Sequence, residues 1–585
     1  MNFTTEDEKT YLQQKSCCLC TKPIDFIDRV RHHSHSTGKF IGAAHNTCNL
    51  NTKKVEFIPV IFHNLTGYDM HFILKSLGNY RKKISTIAKS SEKIMTMTLN
   101  NTLRFIDSLN SLHSSLDKLV AINPEFKLLQ QHYPPNKIDL LRKQQLYPYE
   151  YMNNFQKFLE TKLPTIDKFY SSIGDKNATV EWYDHAKTVW EVFKIENLAQ
   201  FHDFYLKIDI LLLADVFENF RKMFMNTYNM DVAHCYSLPH FSRSAMLKYT
   251  KVELQLISDP DQYLFFEKGI RGGISIIPHH YAKANNRYMN DFKINEPETN
   301  IIYWDCNNLY AVGMCCNLPH SNFEWMTEAE IQEFNVEQDQ SNVGYVLEVD
   351  LEYPRHLHNS HNDYPLAPVK EKPPNGKTEK LLTTLKDKEK YIIHINNLKL
   401  YLRLGMKLKK IHRGIKFLQS KWLEPFINLN TQLRRNAHND FERNLYKLMN
   451  NSVYGRTLMN VKKHSDFEIV TNEKRLHKLI SKPRTKNWHL FGENVVGVTL
   501  NKVEIVLNKP IYVGMVILEE SKAVMFDFHY NYIKKIFPNQ SKVLMSDTDI
   551  FMYSIECDDI YEKIKIHGDI FDTSNYKRNH MFYNN

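Results

Sequence analysis

Three segments place groups that could do chemistry where an element ends. Ile301-Ile302-Tyr303-Trp304 is an apolar and aromatic run that stops at Asp305 and continues as Cys306-Asn307-Asn308-Leu309-Tyr310. A carboxylate that surfaces at the end of a buried strand can present a metal ligand, and it can equally start a turn or cap a helix. In Val543-Leu544-Met545-Ser546-Asp547-Thr548-Asp549-Ile550-Phe551-Met552-Tyr553 two aspartates sit at a hairpin turn between apolar strands, and the pleat points both to one face. Two anions held together repel, so divalent metal joins them or one of them is protonated or diverted; a metal-free Asp-rich turn is the plain alternative. Between these lies Phe441-Glu442-Arg443-Asn444-Leu445-Tyr446-Lys447-Leu448-Met449-Asn450-Asn451-Ser452-Val453-Tyr454-Gly455. A helix closing at Gly455 would align Lys447, Asn451 and Tyr454 on one face. An ammonium suits a triphosphate and a phenol ring suits a base, although an ordinary amphipathic helix carries the same pattern.

A fourth group lies near the start. Cys17-x-x-Cys20 and His45-x-x-Cys48 form two knuckles with the spacing of a tetrahedral structural zinc site. Two further segments could make a site or merely a surface hydrogen bond: Phe62-His63-Asn64-Leu65-Thr66-Gly67-Tyr68-Asp69 after a strand, and Tyr205-Leu206-Lys207-Ile208-Asp209 opening a helix. In the latter the i and i+4 positions bring a phenol and a carboxylate together.

The elements that must position these groups follow from periodicity. Residues 55–62 read as a buried strand, 103–106 as another, and 206–224 as a long helix, which is an α/β pattern. Strand signals at 301–304, 345–351 and 543–553, interrupted by a helix-rich stretch at 381–458, suggest an α+β domain. Residues 356–377, rich in Pro, His and Asn, read as a surface excursion. There is no repeat at solenoid periods.

Composition bounds the class. A chain of 585 residues exceeds one domain several times over, so ample cores are expected. With 76 Lys+Arg against 66 Asp+Glu the formal charge is +10, compatible with a polyanionic partner. Hydrophobic residues at 42% and charged residues at 24% are globular values, which excludes disorder, collagen and coiled coil. No stretch approaches the roughly 20 apolar residues that span a bilayer, and residues 1–10 are acidic and polar, unlike a signal peptide, so an intracellular protein without a membrane partner is expected. Nine cysteines, an odd number, point to reduced thiols or metal before disulfides.

The ordered motifs Asp305-x-x-Asn308-Leu309-Tyr310, Lys447-x3-Asn451-Ser452-x-Tyr454-Gly455 and Asp547-Thr548-Asp549 resemble the three polymerase motifs of family B DNA polymerases. The K-x3-N-S-x-Y-G form is similar to that of the protein-primed branch. Val346-Leu347-Glu348-Val349-Asp350-Leu351-Glu352-Tyr353-Pro354, Tyr364-Pro365-Leu366-Ala367-Pro368 and Lys509-Pro510-Ile511-Tyr512-Val513-Gly514 resemble polymerases of Polinton/Maverick mobile elements and related viruses. The resemblance, which covers nearly the whole chain, implies two-metal nucleotidyl transfer from dNTP to a DNA or protein hydroxyl, with Asp305 and Asp549 holding two Mg²⁺ and Asp547 supporting the turn. It implies that Lys447 neutralises the triphosphate, Tyr454 packs on the nascent base pair, and Tyr310 lies under the sugar and excludes a 2′-hydroxyl. Two positions depart from the family: Asn308 and Ile550 stand where serines are common.

Asn64 with Asp69, then Ser115-Leu116-x-x-Leu119, then Tyr205 with Asp209 resemble the second motif, the single-strand DNA motif and the third motif of the family's 3′-5′ exonuclease. The resemblance makes Asp69 and Asp209 metal carboxylates, Tyr205 the group orienting water, and Asn64 a strand contact. The first motif, D-x-E, has no counterpart before Asn64: Glu6-Asp7-Glu8 is out of register and Asp350-Leu351-Glu352 is in the wrong domain, so hydrolysis is expected to be impaired. No K-x-Y motif or thumb follows Asp549, and a chain clipped at both ends is expected. Ile270-Arg271-Gly272-Gly273 resembles the Y-x-G-G linker, whose glycines allow close approach to DNA phosphate, so Arg271, Gly272 and Gly273 are expected template contacts. Arg31-His32-His33-Ser34-His35-Ser36-Thr37-Gly38-Lys39 with Cys48-Asn49 resembles the His-Asn-His fold of endonuclease VII, making His33 the general base and Asn49 a magnesium ligand, with His32 where an Asp is expected.

The expected fold is therefore mixed α/β and α+β. Residues 1–52 form a zinc-binding His-Asn-His-like insert, 53–260 an RNase H-like 3′-5′ exonuclease domain and 261–585 family B palm and fingers. Template and primer DNA, dNTPs and a terminal priming protein are the expected partners, DNA replication the process, and the nucleus or a virus or mobile element the setting. A DNA-binding relic without catalysis and a zinc-containing endonuclease are the alternatives.

Overall fold

The computed structural model describes residues 3–34, 38–51, 57–143, 145–172, 174–338, 341–568, 570–574, 576–581 and 583. His35, Ser36 and Thr37 of the histidine run, Thr52, Lys53 and Lys54, and the first two residues of the expected 55–62 strand lie outside these. The chain divides into two compact units. The first comprises residues 1–60, 82–85 and 97–105, and the second the remainder.

In the first unit the helix Thr5–Gln13 begins at a capping box on Thr4. The antiparallel pair Arg29–His33 and Phe40–His45 follows, in register Arg29↔His45, and leads into the helix Asn46–Asn51. Cys17, Ile24, Ala43 and Ala44 form a small core beneath it.

The second unit is mixed α and β. The helix Leu198–Tyr228 starts at Asn197, whose side chain accepts the Gln200 N–H at 3.0 Å, and stops at Asn229 in the left-handed region, φ 52°. Its buried stripe runs Leu198, Phe201, Tyr205, Ile208, Leu212 and Val216, the three- and four-residue spacing of one helix face. Tyr205 therefore lies inside this helix and does not open it, because Asn197 supplies a better cap than anything nearer. The helix Ile511–Asp527 is buried continuously from Ile511 to Lys522 and packs on the helices Leu309–Met314 and Asp440–Thr457. Two antiparallel sheets flank this core. One has the order Ser275–Ile276, Ser541–Asp547, Ile550–Glu556, Thr299–Asp305; the other Lys388–His394, Val343–Glu352, Lys407–Ser420, Leu318–Trp325. Val543, Phe551, Tyr553 and Ile555 are buried at alternating positions, so one face of the first sheet closes the core.

Two expectations are corrected and one is extended. The stretch 381–458 is helix-rich as expected, with the helices Ile395–Arg403, Glu424–Arg435 and Asp440–Thr457, but it also holds the strands Lys388–His394 and the long Lys407–Ser420. Irregularities opposite Glu348/Val349 and Asp350/Leu351 break the period-two alternation that would have revealed the second strand. The stretch 356–377 is a surface excursion interrupted at 364–368, since Tyr364, Leu366 and Ala367 are fully buried in a core to which both sheets contribute. The strand Ile58–Phe62 is half-buried, not buried. Among the described residues no helix is long and apolar enough to cross a membrane.

Candidate active site

Asp305 ends its strand directly opposite Ile550, and Asp547 pairs with Ile550 across a turn made of Thr548 and Asp549. The turn is closed by the Asp549 N–H donating to Asp547 O at 2.8 Å, and it is tied to its neighbours by Cys306 N–H to Asp549 O at 2.7 Å and Thr548 N–H to Ile274 O at 2.8 Å. Thr548 adopts φ 60°, which a two-residue hairpin requires and a β-branched residue disfavours. Burial pushes the Asp549 carboxyl above the ordinary range, and Asp305 and Asp547 add to the shift against its own backbone N–H and Lys447. Three carboxylates sharing one field are an all-oxygen donor set of the kind Mg²⁺ takes.

The helix Asp440–Thr457 is capped by Asn439, which accepts the Glu442 N–H at 2.9 Å. It continues through Gly455 to Thr457, so Gly455 does not close it: an exposed glycine inside a packed helix ends nothing unless the chain turns left-handed there. Lys447 is exposed, Asn451 half-buried with its amide oxygen lacking a hydrogen-bond partner, and Tyr454 half-buried. The Tyr454 ring stacks on Tyr310 with centroids 4.3 Å apart and planes at 17°. Tyr310 stands on the helix Leu309–Met314, entered through Asn308 at φ 62°. Burial raises its phenol, and Asp549 and Asp547 contribute to the shift. The structure thus brings Asp305, Asp547, Asp549, Lys447, Tyr310 and Tyr454 into one site.

Sequence reasoning missed a cationic group beside it. Arg456 donates to Tyr236 Oη at 3.1 Å; burial and then Arg456 lower the pKa of Arg243, and burial and then Arg243 and Arg456 lower that of Lys509. They come from two helices and a loop; the only local signal was that Arg456 follows Gly455 and Lys509 precedes Pro510.

The exonuclease-like residues form a second cluster. Asn64 is exposed at φ 68°, and the N–H groups of Asn64 and Thr66 donate to Asp107 at 2.9 and 3.0 Å. Asp69 opens the helix Asp69–Ser76 with its carboxyl raised by burial and, further, by Asp107. Tyr205 is hydrogen-bonded to Tyr149, and burial followed by Asp209 pushes its phenol far up. Tyr149 feels both Asp209 and Tyr68. Tyr149 and Asp107 were not found from sequence, since neither lies in a recognisable motif. Asp107 also accepts the Leu109 N–H at 3.1 Å, so its oxygens are spent on backbone. Ser115 is exposed ahead of the helix Leu116–Ile122, while Leu116 packs in the core.

Arg271 departs from expectation. It is 7% exposed, donates to Ile392 O at 2.7 Å and lies 3.7 Å over the Tyr391 ring, so its guanidinium is engaged inside the fold. Gly272 is exposed and Gly273 half-buried.

In the first unit Cys17, Cys20, His45 and Cys48 bring their ligand atoms within 4.8 Å of one another. His45 Nδ1 lies 3.4 Å from Cys20 Sγ and 3.7 Å from Cys48 Sγ, while Nε2 lies 2.9 Å from Pro23 O. A ring N–H given to that carbonyl leaves Nδ1 for metal. Burial opposes ionisation of Cys17, but the N–H groups of Cys20, His45 and Leu19 prevail and lower it to about 6, which favours a thiolate ligand. The donor set fits zinc. His32 Nδ1 and Asn49 Oδ1 are 2.7 Å apart, so the amide expected to hold magnesium is engaged by the imidazole that replaces the usual Asp. His33 Nδ1 lies 3.5 Å from Arg31 O.

Residues 48–491 match the family model described as DNA polymerase type B, organellar and viral. No curated protein matches the chain. Among solved structures, phi29 DNA polymerase complexed with primer-template DNA and incoming nucleotides is 15% identical, with 86% of this chain and 73% of that chain covered and a TM-score of 0.48. Its orthorhombic crystal form is 16% identical, with 91% and 77% covered and a TM-score of 0.46. The family match spans most of the chain and takes in the Asp305 and Lys447 segments: the chain belongs to the type B DNA polymerases of organellar and viral kind, and is a DNA-directed DNA polymerase.

Proposed function

We propose that residues 261–585 form the palm and fingers of a protein-primed polymerase of the Polinton/Maverick type, which adds dNTPs to a primer hydroxyl on a DNA template. The observation that supports this best is the meeting of Asp305, Asp547, Asp549, Lys447 and the Tyr310–Tyr454 stack in one site. Asp305 and Asp549 would hold two Mg²⁺, which supply activation of the primer hydroxyl and charge neutralisation at the leaving pyrophosphate. Lys447, exposed on its helix, takes the triphosphate as a point charge. The partnerless Asn451 amide oxygen awaits a donor from an incoming nucleotide. Tyr454 offers its face to the base pair, and Tyr310, pinned by that stack, leaves no room for a 2′-hydroxyl. Arg243, Arg456 and Lys509 take template phosphate.

Residues 53–260 act as a degenerate or truncated exonuclease domain that carries Asn64, Asp69, Tyr205 and Asp209, with Ser115 placed to touch a single strand. Residues 1–52 are a zinc-held insert whose His32–Asn49 contact disfavours cleavage. A terminal protein supplies the first hydroxyl, and the work is replication of a viral or mobile element, in the nucleus where that element resides there. The test is Mg²⁺-dependent primer extension compared with Asp549→Asn. Extension lost in the variant supports the reading. Wild-type protein that binds primer-template but never extends it leaves a DNA-binding relic, and plasmid nicking that survives Asp549→Asn but not His33→Ala points to the endonuclease.

A further inference from the structure

The linker between the helix Pro260–Gly269 and the strand Ser275–Ile276 is anchored at one end and pressed on the D-T-D turn at the other. The anchor is Arg271, which donates to Ile392 O, lies over Tyr391 and shares a field with the fully buried Glu519. Glu519 is itself held by Lys522 at 3.0 Å and by the Asn397 amide at 2.9 Å. The pressed end is Gly273. A Cβ there would collide with Thr548 Oγ1 and stand 2.7 Å from Thr548 Cγ2 and 2.9 Å from its Cβ. Next to it Ile274 O accepts the Thr548 N–H at 2.8 Å, and Ser275 pairs with Asp547. Around Gly272, by contrast, a Cβ would meet nothing within 4 Å. A glycine kept for close approach of DNA would be the open one; the space at Gly273 is already taken by the turn.

We propose that residues 271–274 are an internal brace for the metal-binding turn, with Arg271 a positioning residue and Gly273 the seat of Thr548. The proposal rests on the reading of Asp305, Asp547 and Asp549 as the metal centre. A β-branched residue at φ 60° is strained and persists only where its surroundings over-determine it. Here the surroundings are the Ile274 carbonyl, the Ser275 pairing and the volume beside Gly273 that the Thr548 side chain fills. Without the seat, Thr548 would shift and carry Asp547 and Asp549 with it.

The test is a double-mutant cycle of Gly273→Ala and Thr548→Gly, since the second change removes the side chain with which the first collides and also suits a positive φ. Three quantities are read on the full chain: kcat of dNTP addition, primer-template Kd, and Mn²⁺ affinity from the electron paramagnetic resonance of free Mn²⁺. Gly273→Ala is expected to lower kcat by about 100-fold, the scale of an ångström-sized misplacement, and to weaken Mn²⁺ by about tenfold with DNA affinity unchanged. In the Thr548→Gly background the same change should alter each quantity by less than about threefold. Equal losses in both backgrounds, no loss at all, or a loss of DNA affinity that accounts for the fall in rate would overturn the brace. An insoluble Gly273→Ala chain made soluble by Thr548→Gly counts in favour, and insolubility of both counts against. If the wild-type chain neither extends primers nor binds Mn²⁺, it is the metal-centre reading that fails, and the coupling is then decided from unfolding temperatures.

Discussion

Replacing Asp549 by asparagine should make the folded chain more stable without metal and less stable with it. Burial, then Asp305 and Asp547, hold the Asp549 carboxyl above its ordinary range, and Lys447 offsets only part of this. An acid raised in the folded state costs nothing below its unfolded pKa, where both states are protonated. The cost grows as pH rises and is complete above the raised value. Two repulsions less one attraction, screened as half-exposed groups are, leave on the order of 1 kcal/mol. A melting entropy of roughly 2.1 cal/mol/K per residue amounts to about 1.2 kcal/mol/K for a chain of this length, so Asp549→Asn should raise Tm by about 1 °C in EDTA at neutral pH. As pH falls through the raised range and into the ordinary carboxylate range, the difference should fade as Asp549 protonates in both states. Mg²⁺ at a hundred times its Kd adds about 2.7 kcal/mol to the wild type only, so the order reverses, by about 1–2 °C. Calorimetry with EDTA and with Mg²⁺ reads both signs. A variant that is less stable in EDTA, or that gains as much from Mg²⁺ as the wild type, would refute the shared metal site.

Tyr310→Val removes the ring stacked on Tyr454 and should lower discrimination against ribonucleotides by about 100-fold in single-turnover ratios of dNTP to rNTP; an unchanged ratio would move the sugar contact elsewhere. Cys20→Ser should abolish zinc binding in metal analysis and melt the first unit's hairpin, since a structural zinc contributes on the order of 10 kcal/mol to so small a fold; retention of one zinc per chain would contradict the assignment. Lys509→Ala and Arg456→Ala should each reduce the slope of log K for primer-template against log salt by about 0.7–0.9, one phosphate apiece, and an unaltered slope would leave the cationic group unexplained. Tyr205→Phe should change 3′-5′ hydrolysis by less than about twofold, because a group ordinarily worth about a hundredfold has no complete metal site to serve; a tenfold fall from a measurable rate would show that carboxylates other than a D-x-E pair complete it.

What could be read from the sequence was whatever lies within a few residues. The hairpin around Asp547 and Asp549 is legible because Val543, Phe551 and Tyr553 alternate on one face, and the zinc cluster because two knuckles fix four ligands locally. The pairing of Tyr149 with Tyr205, the meeting of Arg243, Arg456 and Lys509, and the burial of Arg271 under Tyr391 and Ile392 join residues from distant elements, and no periodicity announces them. Arg271 is the instructive case. An arginine beside two glycines on a basic chain suggests phosphate, yet a guanidinium is also the side chain best able to be buried, because it can stack on a ring while its N–H groups meet carbonyls. Thr548 makes the complementary point: its left-handed φ would ordinarily select glycine, and the glycine that permits it is present, at position 273 across the turn. The room the turn requires is supplied by a neighbouring linker, so a residue-by-residue reading of Asp547-Thr548-Asp549 could name the carboxylates but not what holds them in place.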